Sequence, residues 1–288
     1  MKRIFIIAAA VIGLTSCKEE NPGIILTKPP VDFRDTTYLL TTGEPAQPKN
    51  ALVEDFTGVK CSNCPKGHHA IEKMRADNPG RIMAMSIHGT EFSFFTDPFT
   101  GEEDFRVQWG AQIMNLVGKP QGLPFGTIDR LQKSSTAGTW QGLAETRMQG
   151  KTPVNLYIEH EYDDITRELK VKLKAVFTDT MMTRPAFSVG ILESHIISPQ
   201  KDEELAADPV KKGIEPNYEH NHVLRTMPAY REQLLPHDSI LPLPDKNRVI
   251  EKSFSIILND KWKPENCDII FFVHRDLEVI HAVEVKVK

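Results

Sequence analysis

Two cysteines three positions apart, Cys61 and Cys64, are the residues whose type and spacing most directly suggest chemistry. They stand where a predicted strand leads into a predicted helix, and the dipole at a helix N-terminus lowers the pKa of a thiol there. In such a C-x-x-C pair the first cysteine is the exposed nucleophile and the second resolves the mixed disulfide. The pair therefore predicts thiol–disulfide exchange, in which Cys61 attacks and Cys64 resolves.

Neighbouring residues limit the other chemistries open to this pair. A c-type haem site needs a histidine directly after the second cysteine, where Pro65 stands, so haem is excluded. A zinc or copper site could recruit His68 and His69, but both thiols would have to stay reduced in an oxidising compartment. We therefore expect no metal and no other cofactor. A static disulfide that never turns over stays open as an alternative.

Hydrophobic periodicity predicts the elements that position the cysteines. Residues 51–56 read as a short buried strand, and a helix begins at Cys64 and ends at Asn78-Pro79-Gly80. The next predicted elements are a strand over 81–87, a helix over 105–116, a strand over 125–129 and a helix over 140–149. The sequence thus alternates strands and helices through this half of the chain.

This order of elements resembles the thioredoxin fold over about residues 50 to 150. Thioredoxins carry an aspartate and a phenylalanine six residues before the first cysteine, the place of Asp55-Phe56. The resemblance implies that Asp55 is the buried proton-transfer carboxylate, although adjacent Glu54 could take that role. It also implies that Pro124 is the cis-proline that contacts substrate backbone. The tryptophan before the first cysteine and the Gly-Pro between the two are absent, which leaves redox potential and substrate preference open.

The second half of the chain has a different pattern, with period two from Lys151 onward. Residues 154–158 and 169–177 alternate apolar and polar side chains around a turn at Asp163-Asp164, which predicts a hairpin. Further strands are predicted over 186–197, 249–258, 267–274 and 278–287. Several antiparallel strands without a long helix indicate an immunoglobulin-like β-sandwich. The stretch from Pro199 to Asp245 is predicted to be long and irregular.

Three other residues could bind or react. If His220 and His222 lay on a strand, their rings would share a face that could bind a metal. We expect them instead to satisfy buried backbone groups or to line the domain contact. Cys267 opens a hydrophobic strand without an evident partner, and we expect it to be a buried, inert thiol.

The N-terminus predicts export and lipid anchoring. Residues 1–16 combine a basic start with a short apolar stretch, as in a secretory signal peptide. The order Leu14-Thr15-Ser16-Cys17 resembles a bacterial lipobox, which implies acylation of Cys17, for example with palmitate, and stable membrane anchoring. Lys18-Glu19-Glu20 resembles the Bacteroidetes signal for display on the outer face of the outer membrane. The proline-containing range 17–50 is predicted to be a lipidated tether, in which Tyr38 to Thr41 could add an edge strand.

Composition excludes some classes of function. The sequence has 35 basic and 39 acidic residues, which gives a net charge of -4. No run of basic residues is long enough to bind nucleic acid. A hydrophobic fraction of 40% is that of a globular protein rather than a disordered or multi-span membrane chain.

From about residue 50 to its end the chain resembles the twenty-eight-kilodalton outer-membrane-protein-like lipoproteins of Bacteroidetes. The segments 54–58, 61–65 and 220–225 carry the likeness. It implies a thioredoxin-like α/β domain over 51–150, followed by an all-β sandwich domain over 151–288, on an outer-membrane lipoprotein.

Two functions stay open from the sequence. One is a thiol–disulfide oxidoreductase of the cell envelope that acts on protein thiols or disulfides, with Cys61, Cys64, Asp55 and Pro124 in its site. The other is a surface binding protein or adhesin whose cysteine pair is structural. We expect the cell surface as the location, with the periplasmic face as the alternative.

Overall fold

Fourteen strands and four α-helices lie in the part of the chain that the computed structural model describes, residues 31–235 and 243–288. The predicted signal peptide, Cys17 and Lys18-Glu19-Glu20 lie outside these residues. The strands are β1 Thr36–Leu39, β2 Ala51–Phe56, β3 Ile82–Ile87, β4 Phe125–Ile128, β5 Gln132–Ser134, β6 Val154–Tyr162, β7 Glu168–Phe177, β8 Ala186–Glu193, β9 Ile196–Lys201, β10 Ile214–His220, β11 Val223–Gln233, β12 Arg248–Ile257, β13 Cys267–Arg275 and β14 Glu278–Lys286. The helices are α1 Cys64–Asp77, α2 Ser93–Thr96, α3 Gln108–Val117 and α4 Trp140–Arg147.

The strand–helix–strand unit around the cysteines forms as the sequence predicts. Strands β2 and β3 pair in parallel, from Ala51 opposite Ile82 to Phe56 opposite Ile87, and α1 connects them. Pro65 suits the first turn of α1, where a missing N–H costs no helix hydrogen bond. Strand β4 pairs antiparallel with β2, and β5 with β4, so this part of the sheet has the order β3-β2-β4-β5.

Helices cover both faces of this part of the sheet. Because side chains alternate along β2, Val53 packs toward Ile71 of α1 and Trp140 of α4. Leu52 packs on the opposite face, in a cluster that contains Ile113 of α3. Burial on both faces explains why β2 and β3 read as continuous buried runs rather than as an alternation.

Two sheets pack face to face in the second half of the chain. One has the order β1-β12-β7-β6, and the other contains β14-β13-β8-β11. The predicted hairpin is present, with β6 paired to β7 from Val154 opposite Phe177 to Tyr162 opposite Leu169. Apolar side chains such as Leu173, Val189 and Phe271 fill the space between the sheets. The described residues are therefore mostly β.

The two halves share one continuous sheet. Strand β11 pairs in parallel with β3, where Val223 lies opposite Ser86, and this contact completes the eight-stranded order β14-β13-β8-β11-β3-β2-β4-β5. Residues Val31–Lys288 form one compact unit. The boundary near residue 150 coincides with no break in this sheet, and it stays a prediction.

The described end of the tether range contains β1, an edge strand that overlaps the one considered at Tyr38 to Thr41 and pairs with β12. In the same range, Gln47 donates its backbone N–H to Asn155 Oδ1 at 2.8 Å. The stretch from Pro199 to Asp245 is not irregular as predicted, because it holds the end of β9 and all of β10 and β11. Register shifts between β11 and β8 break the period of two, and this hides the strand in the sequence. No helix among the described residues has the length and apolarity needed to cross a membrane.

Candidate functional site

Cys61 and Cys64 form a disulfide at the start of α1. Cys64 is fully buried and Cys61 is only 2% exposed, while Ser62 and Asn63 between them are exposed. The expectation of an exposed first cysteine is therefore wrong for this state of the protein. The physical reason is a segment of the second half of the chain that lies across the disulfide loop.

That segment is the β9–β10 hairpin, residues 196–220. Gln200 is fully buried, and its Nε2 donates to the carbonyl oxygens of Gly58 and Cys61 at 3.2 and 3.0 Å. The backbone N–H of Lys201 donates to Val59 O at 2.8 Å, and that of Glu203, just beyond β9, donates to Ser62 O at 2.9 Å. The hairpin thus covers one side of the disulfide through hydrogen bonds to its loop.

Asp55 lies on β2 beneath the first turns of α1. It is fully buried, and neither carboxylate oxygen has a hydrogen-bond partner among the described residues. A Cβ on Gly67 of α1 would lie 3.3 Å from Asp55 Oδ2, so the helix passes directly over the carboxyl group. Burial raises the pKa of Asp55 well above its usual range, because the charged form is not solvated. The side chain therefore holds a proton where a carboxylate in water would not.

Glu54, the other carboxylate that the sequence left open, faces the opposite side of the sheet. Its Oε1 accepts from Arg130 Nη2 at 2.7 Å, and its Oε2 accepts from Thr127 Oγ1 at 2.9 Å. Glu54 and Arg130 are both fully buried. Both carboxylate oxygens of Glu54 are thus occupied by partners on the face away from α1, so of the two only Asp55 fits that role by its surroundings.

The histidines of this region lie around Asp55. His68 of α1 has its Nε2 3.7 Å from Asp55 Oδ2 and 2.8 Å from Thr57 Oγ1. Its Nδ1 lies 2.8 Å from the hydroxyl of Tyr218 on β10. Burial, together with the nearby His220, His69 and His222, lowers the pKa of His68 to about 3. The ring is therefore neutral at physiological pH.

An open cleft lies beside the disulfide. The Leu123–Pro124 peptide bond is cis, as the resemblance implied. A cavity of about 720 Å³ separates Pro124 from the start of α1, where Asn63, Lys66 and His69 line it. Asn63 stands between the two cysteines, so the cleft borders the disulfide loop.

The histidine pair of β10 and the following turn does not share a strand face. His220 ends β10, is buried, and has its Nε2 3.2 Å from Ser198 O, as expected for a side chain that satisfies backbone. His222 lies in the turn with a φ of 56°, and its Nε2 is 3.5 Å from Glu72 Oε1. Within residues 31–235 and 243–288 no three His, Cys, Asp or Glu side chains are grouped so that they could hold a metal ion.

Cys267 opens β13 as a free, fully buried thiol, as expected. Burial raises the pKa of Cys267 to about 12, so its reactive thiolate form is scarce at neutral pH.

Gln200 and Tyr218 are the site residues that the sequence interpretation missed. Tyr218 stands two residues before His220 in the chain, but nothing in its local pattern indicates a contact with α1. Gln200 lies 139 positions from Cys61. Only knowledge of the long-range pairing could have found either contact.

The fold and site describe a β-rich protein with a disulfide at a helix start, a cis-proline cleft and a buried, unpaired carboxyl group. The model of the family described as outer membrane protein Omp28 matches residues 111–288, more than half of the chain. The chain belongs to this outer membrane protein family.

Solved structures give a likeness of fold. HBP35 of Porphyromonas gingivalis matches with a TM-score of 0.60 and 15% sequence identity, over 85% of this chain and 76% of that one. A protein from Agrobacterium tumefaciens matches with a TM-score of 0.46 and 12% identity, over 84% of this chain and 97% of that one. The comparison with curated proteins gives no match.

Proposed function

We propose that this outer membrane protein is a thiol–disulfide oxidoreductase of the cell envelope. The observation that carries the proposal is Asp55, a fully buried carboxyl group without a hydrogen-bond partner, beneath the helix that the disulfide begins. A buried, unpaired ionisable group costs stability, and such a cost is typical of functional sites. A static disulfide would need no acid beneath it.

The proposal includes a thioredoxin-like unit over residues 51–150. The strand order β3-β2-β4-β5, the C-x-x-C at the start of α1 and the cis Leu123–Pro124 bond support it. Residues 151–288 would be an immunoglobulin-like sandwich. The strands of an immunoglobulin fold are lettered A to G along the chain. In one sheet, A, B and E would be β6, β7 and β12, and in the other sheet C, F and G would be β8, β13 and β14. The β9–β10 hairpin is then an insertion after strand C.

In the proposed reaction a substrate dithiol is oxidised and the Cys61–Cys64 bond is reduced. A substrate thiolate attacks Cys61 Sγ, the disulfide bond breaks, and Cys64 leaves as a thiolate. Asp55, protonated because of its burial, gives that thiolate a proton. The second substrate thiolate then attacks the substrate sulfur of the mixed disulfide, and Cys61 leaves with the second electron pair. The reverse sequence reduces a substrate disulfide.

The open cleft supports a protein substrate. Its walls are the start of α1 on one side and Pro124 with residues 135–138 on the other. An extended chain in this cleft would bring its cysteine to the disulfide loop. At this edge of the cleft, Lys66 Nζ forms an ion pair with Glu203 Oε2 at 2.7 Å.

The proposed location rests on the family and on the N-terminal sequence. The family to which the chain belongs is one of outer membrane proteins. The order Leu14-Thr15-Ser16-Cys17 supports a lipid anchor on Cys17 after removal of residues 1–16. Lys18-Glu19-Glu20 supports the cell surface over the periplasmic face. Protease treatment of intact cells tests this, since a surface protein is cleaved and a periplasmic one is protected.

A second candidate function is a surface binding protein with a structural disulfide. The observation in its favour is the burial of Cys61, which is 2% exposed beneath the β9–β10 hairpin. In that case the Cys61→Ser/Cys64→Ser variant would bind its partner as the unaltered protein does.

Trapping of substrates distinguishes the two functions. The Cys64→Ser variant, expressed in its own envelope, should accumulate mixed disulfides between Cys61 and envelope proteins, because the resolving thiol is missing. The matched control, Cys61→Ser, should trap none. The reduction potential of the pair should lie above about -300 mV, the range of catalytic rather than structural bridges. A lower potential together with no trapped protein would refute the oxidoreductase.

A further inference from the structure

His68 links the buried carboxyl group of Asp55 to a hydroxyl group of the second half of the chain. One ring nitrogen, Nε2, lies 3.7 Å from Asp55 Oδ2, and the other, Nδ1, lies 2.8 Å from Tyr218 Oη. We infer that His68 and Tyr218 form a proton relay that reloads Asp55 during thiol–disulfide exchange. The inference rests on the proposed function, because it describes how the acid of that reaction regains its proton.

Asp55 needs such a route. Each reduction of the disulfide transfers one proton from Asp55 to the leaving Cys64 thiolate, and the reverse reaction returns one. Asp55 is fully buried and has no hydrogen-bond partner among the described residues, so water does not reach it directly in this structure. His68 is an ionisable side chain whose Nε2 lies 3.7 Å from Asp55 Oδ2, without a hydrogen bond at rest. The proton must therefore pass through His68 or wait for an opening of the site.

The chemistry of a neutral imidazole suits this step. It can accept a proton at Nδ1 from the Tyr218 hydroxyl while it gives the proton of Nε2 to Asp55, so the ring never carries a net charge for long. Solvent in the adjoining cavity gives a proton to the Tyr218 oxygen in the same transfer, so the net donor is water and Tyr218 keeps its hydroxyl. At rest, Nε2 lies 2.8 Å from Thr57 Oγ1. A movement of about 0.8 Å would bring it within hydrogen-bond distance of the carboxylate. The ionised form of Asp55 attracts the Nε2–H group and so favours this movement.

Tyr218 connects the relay to a cavity. Its side chain and that of His68 line a space of about 250 Å³ between α1 and the turn after β10, together with Glu72 and His222. Tyr218 is half-buried, and burial with the nearby Asp202 raises the pKa of its hydroxyl. The hydroxyl therefore stays protonated over the whole physiological range, as a donor to His68 must.

The charged and titratable groups around His68 come from each element packed against it. Helix α1 contributes His69 and Glu72, strand β2 contributes Asp55, and β10 contributes His220 beside Tyr218. His222 follows in the turn. His68 and His220 have a pKa of about 3 and 4, so both rings are neutral at neutral pH. The relay therefore operates with a neutral His68 between pH 6 and 9.

The test uses dithiothreitol as the reductant of the full-length, oxidised protein. The Cys61–Cys64 bond is first reduced, and the rate at which glutathione disulfide re-forms it is then measured by stopped flow between pH 6 and 9. In the resting reduced protein Asp55 has been reloaded, so it must release that proton through the same relay before it can take the one of Cys64. Tyr218→Phe removes only the hydroxyl and should slow this oxidation on the order of 10-fold, a part of the effect of a general acid–base group. The reduction potential should not change, because a relay alters the rate and not the equilibrium. His68→Gln keeps a hydrogen-bonding side chain that cannot pass a proton, and it should cause the same loss.

A second comparison separates a relay from a structural role. In an Asp55→Asn background, Tyr218→Phe should have no further effect on the rate, since the relay acts only through Asp55. The matched control is Tyr157→Phe, which removes a hydroxyl bonded to Glu44 in the sandwich and should leave the rate unchanged. The relay is refuted if Tyr218→Phe reacts at the normal rate, or if it slows the Asp55→Asn protein equally. Neither dithiothreitol nor glutathione disulfide is a protein substrate, so failure to trap substrates would overturn the proposed function without touching this result.

Discussion

Glu54 and Asp55 are adjacent in strand β2, yet Glu54 Oε1 lies 2.7 Å from Arg130 Nη2 while neither carboxylate oxygen of Asp55 has a hydrogen-bond partner among the described residues. Successive side chains of a strand point to opposite faces, so Glu54 faces Arg130 on one side of the sheet and Asp55 faces α1 on the other. Both groups are fully buried. Glu54 is thus held in an ion pair with Arg130, while burial raises the pKa of Asp55 well above its usual range.

The stability of the oxidised protein should depend on pH through Asp55. Its pKa is raised in the folded protein, so above the unfolded value of about 4 the folded state retains a proton that the unfolded chain releases. Stability therefore falls as pH rises from about 4 toward the folded pKa. Asp55→Asn removes this loss and should raise the free energy of unfolding at pH 8 by about 1–3 kcal/mol, with little difference at pH 4. Urea unfolding at the two pH values measures both.

The control for this prediction is Asp163→Asn in the turn between β6 and β7. Asp163 accepts backbone hydrogen bonds from Thr166 and Ile165, which lower its pKa. Its contribution to stability is present above the unfolded pKa and is lost as pH falls. Asp163→Asn should therefore lower the free energy of unfolding at pH 8, whereas Asp55→Asn should raise it. A difference between Asp55→Asn and the unaltered protein that is the same at pH 4 and pH 8 would contradict the assignment.

The buried ion pair should be costly to break from one side. Glu54→Gln leaves the fully buried guanidinium of Arg130 without its countercharge and should destabilise the protein by about 3–5 kcal/mol. Asp164→Asn, which breaks the exposed pair with Lys288, should leave stability nearly unchanged. Chemical denaturation of both variants measures the difference. Equal losses would show that burial of the Glu54–Arg130 pair does not decide its contribution.

Substitution by alanine should have opposite effects on stability at two glycines of neighbouring elements. A Cβ on Gly126 of β4 would lie 2.3 Å from Cε2 of the fully buried Trp140, so Gly126→Ala should destabilise by about 1–3 kcal/mol or more. Gly142 is exposed on α4 and no atom lies within 4 Å of its Cβ position. Gly142→Ala should stabilise by about 0.5–1 kcal/mol through helix propensity. The midpoint temperature of thermal unfolding should fall for Gly126→Ala and rise for Gly142→Ala. Shifts in the same direction would contradict the close packing of Gly126 against Trp140.

Gln200 should control the access of reductants to the disulfide. Gln200→Ala removes the side-chain hydrogen bonds to Gly58 O and Cys61 O, each of which contributes about 0.5–1.5 kcal/mol. Weaker attachment of the β9–β10 hairpin should speed reduction by dithiothreitol about 10-fold, since 1.4 kcal/mol changes an opening equilibrium tenfold. The exposed Gln149→Ala variant should react at the normal rate. An unchanged rate in Gln200→Ala would mean that the hairpin does not limit access.

Local pattern predicted much of the fold. Strand β2 falls on the predicted residues 51–56, and α1 begins at Cys64 and ends one residue before Asn78. The β6–β7 hairpin and strands β12 to β14 lie within a few residues of their predicted positions. Strands β5, β9, β10 and β11 were missed, because β5 has three residues and the others are short or interrupted by register shifts.

The sequence by itself determined that the cysteine pair begins a helix after a buried strand, that a proline follows a leucine at 123–124, and that side chains alternate on β2. These properties depend on residues a few positions apart. Only the tertiary structure decided that Cys61 is covered, that Asp55 rather than Glu54 lies unpaired, and that Tyr218 contacts His68. Solvent access and charge pairing depend on partners 76 to 150 positions away, whose approach no local pattern records.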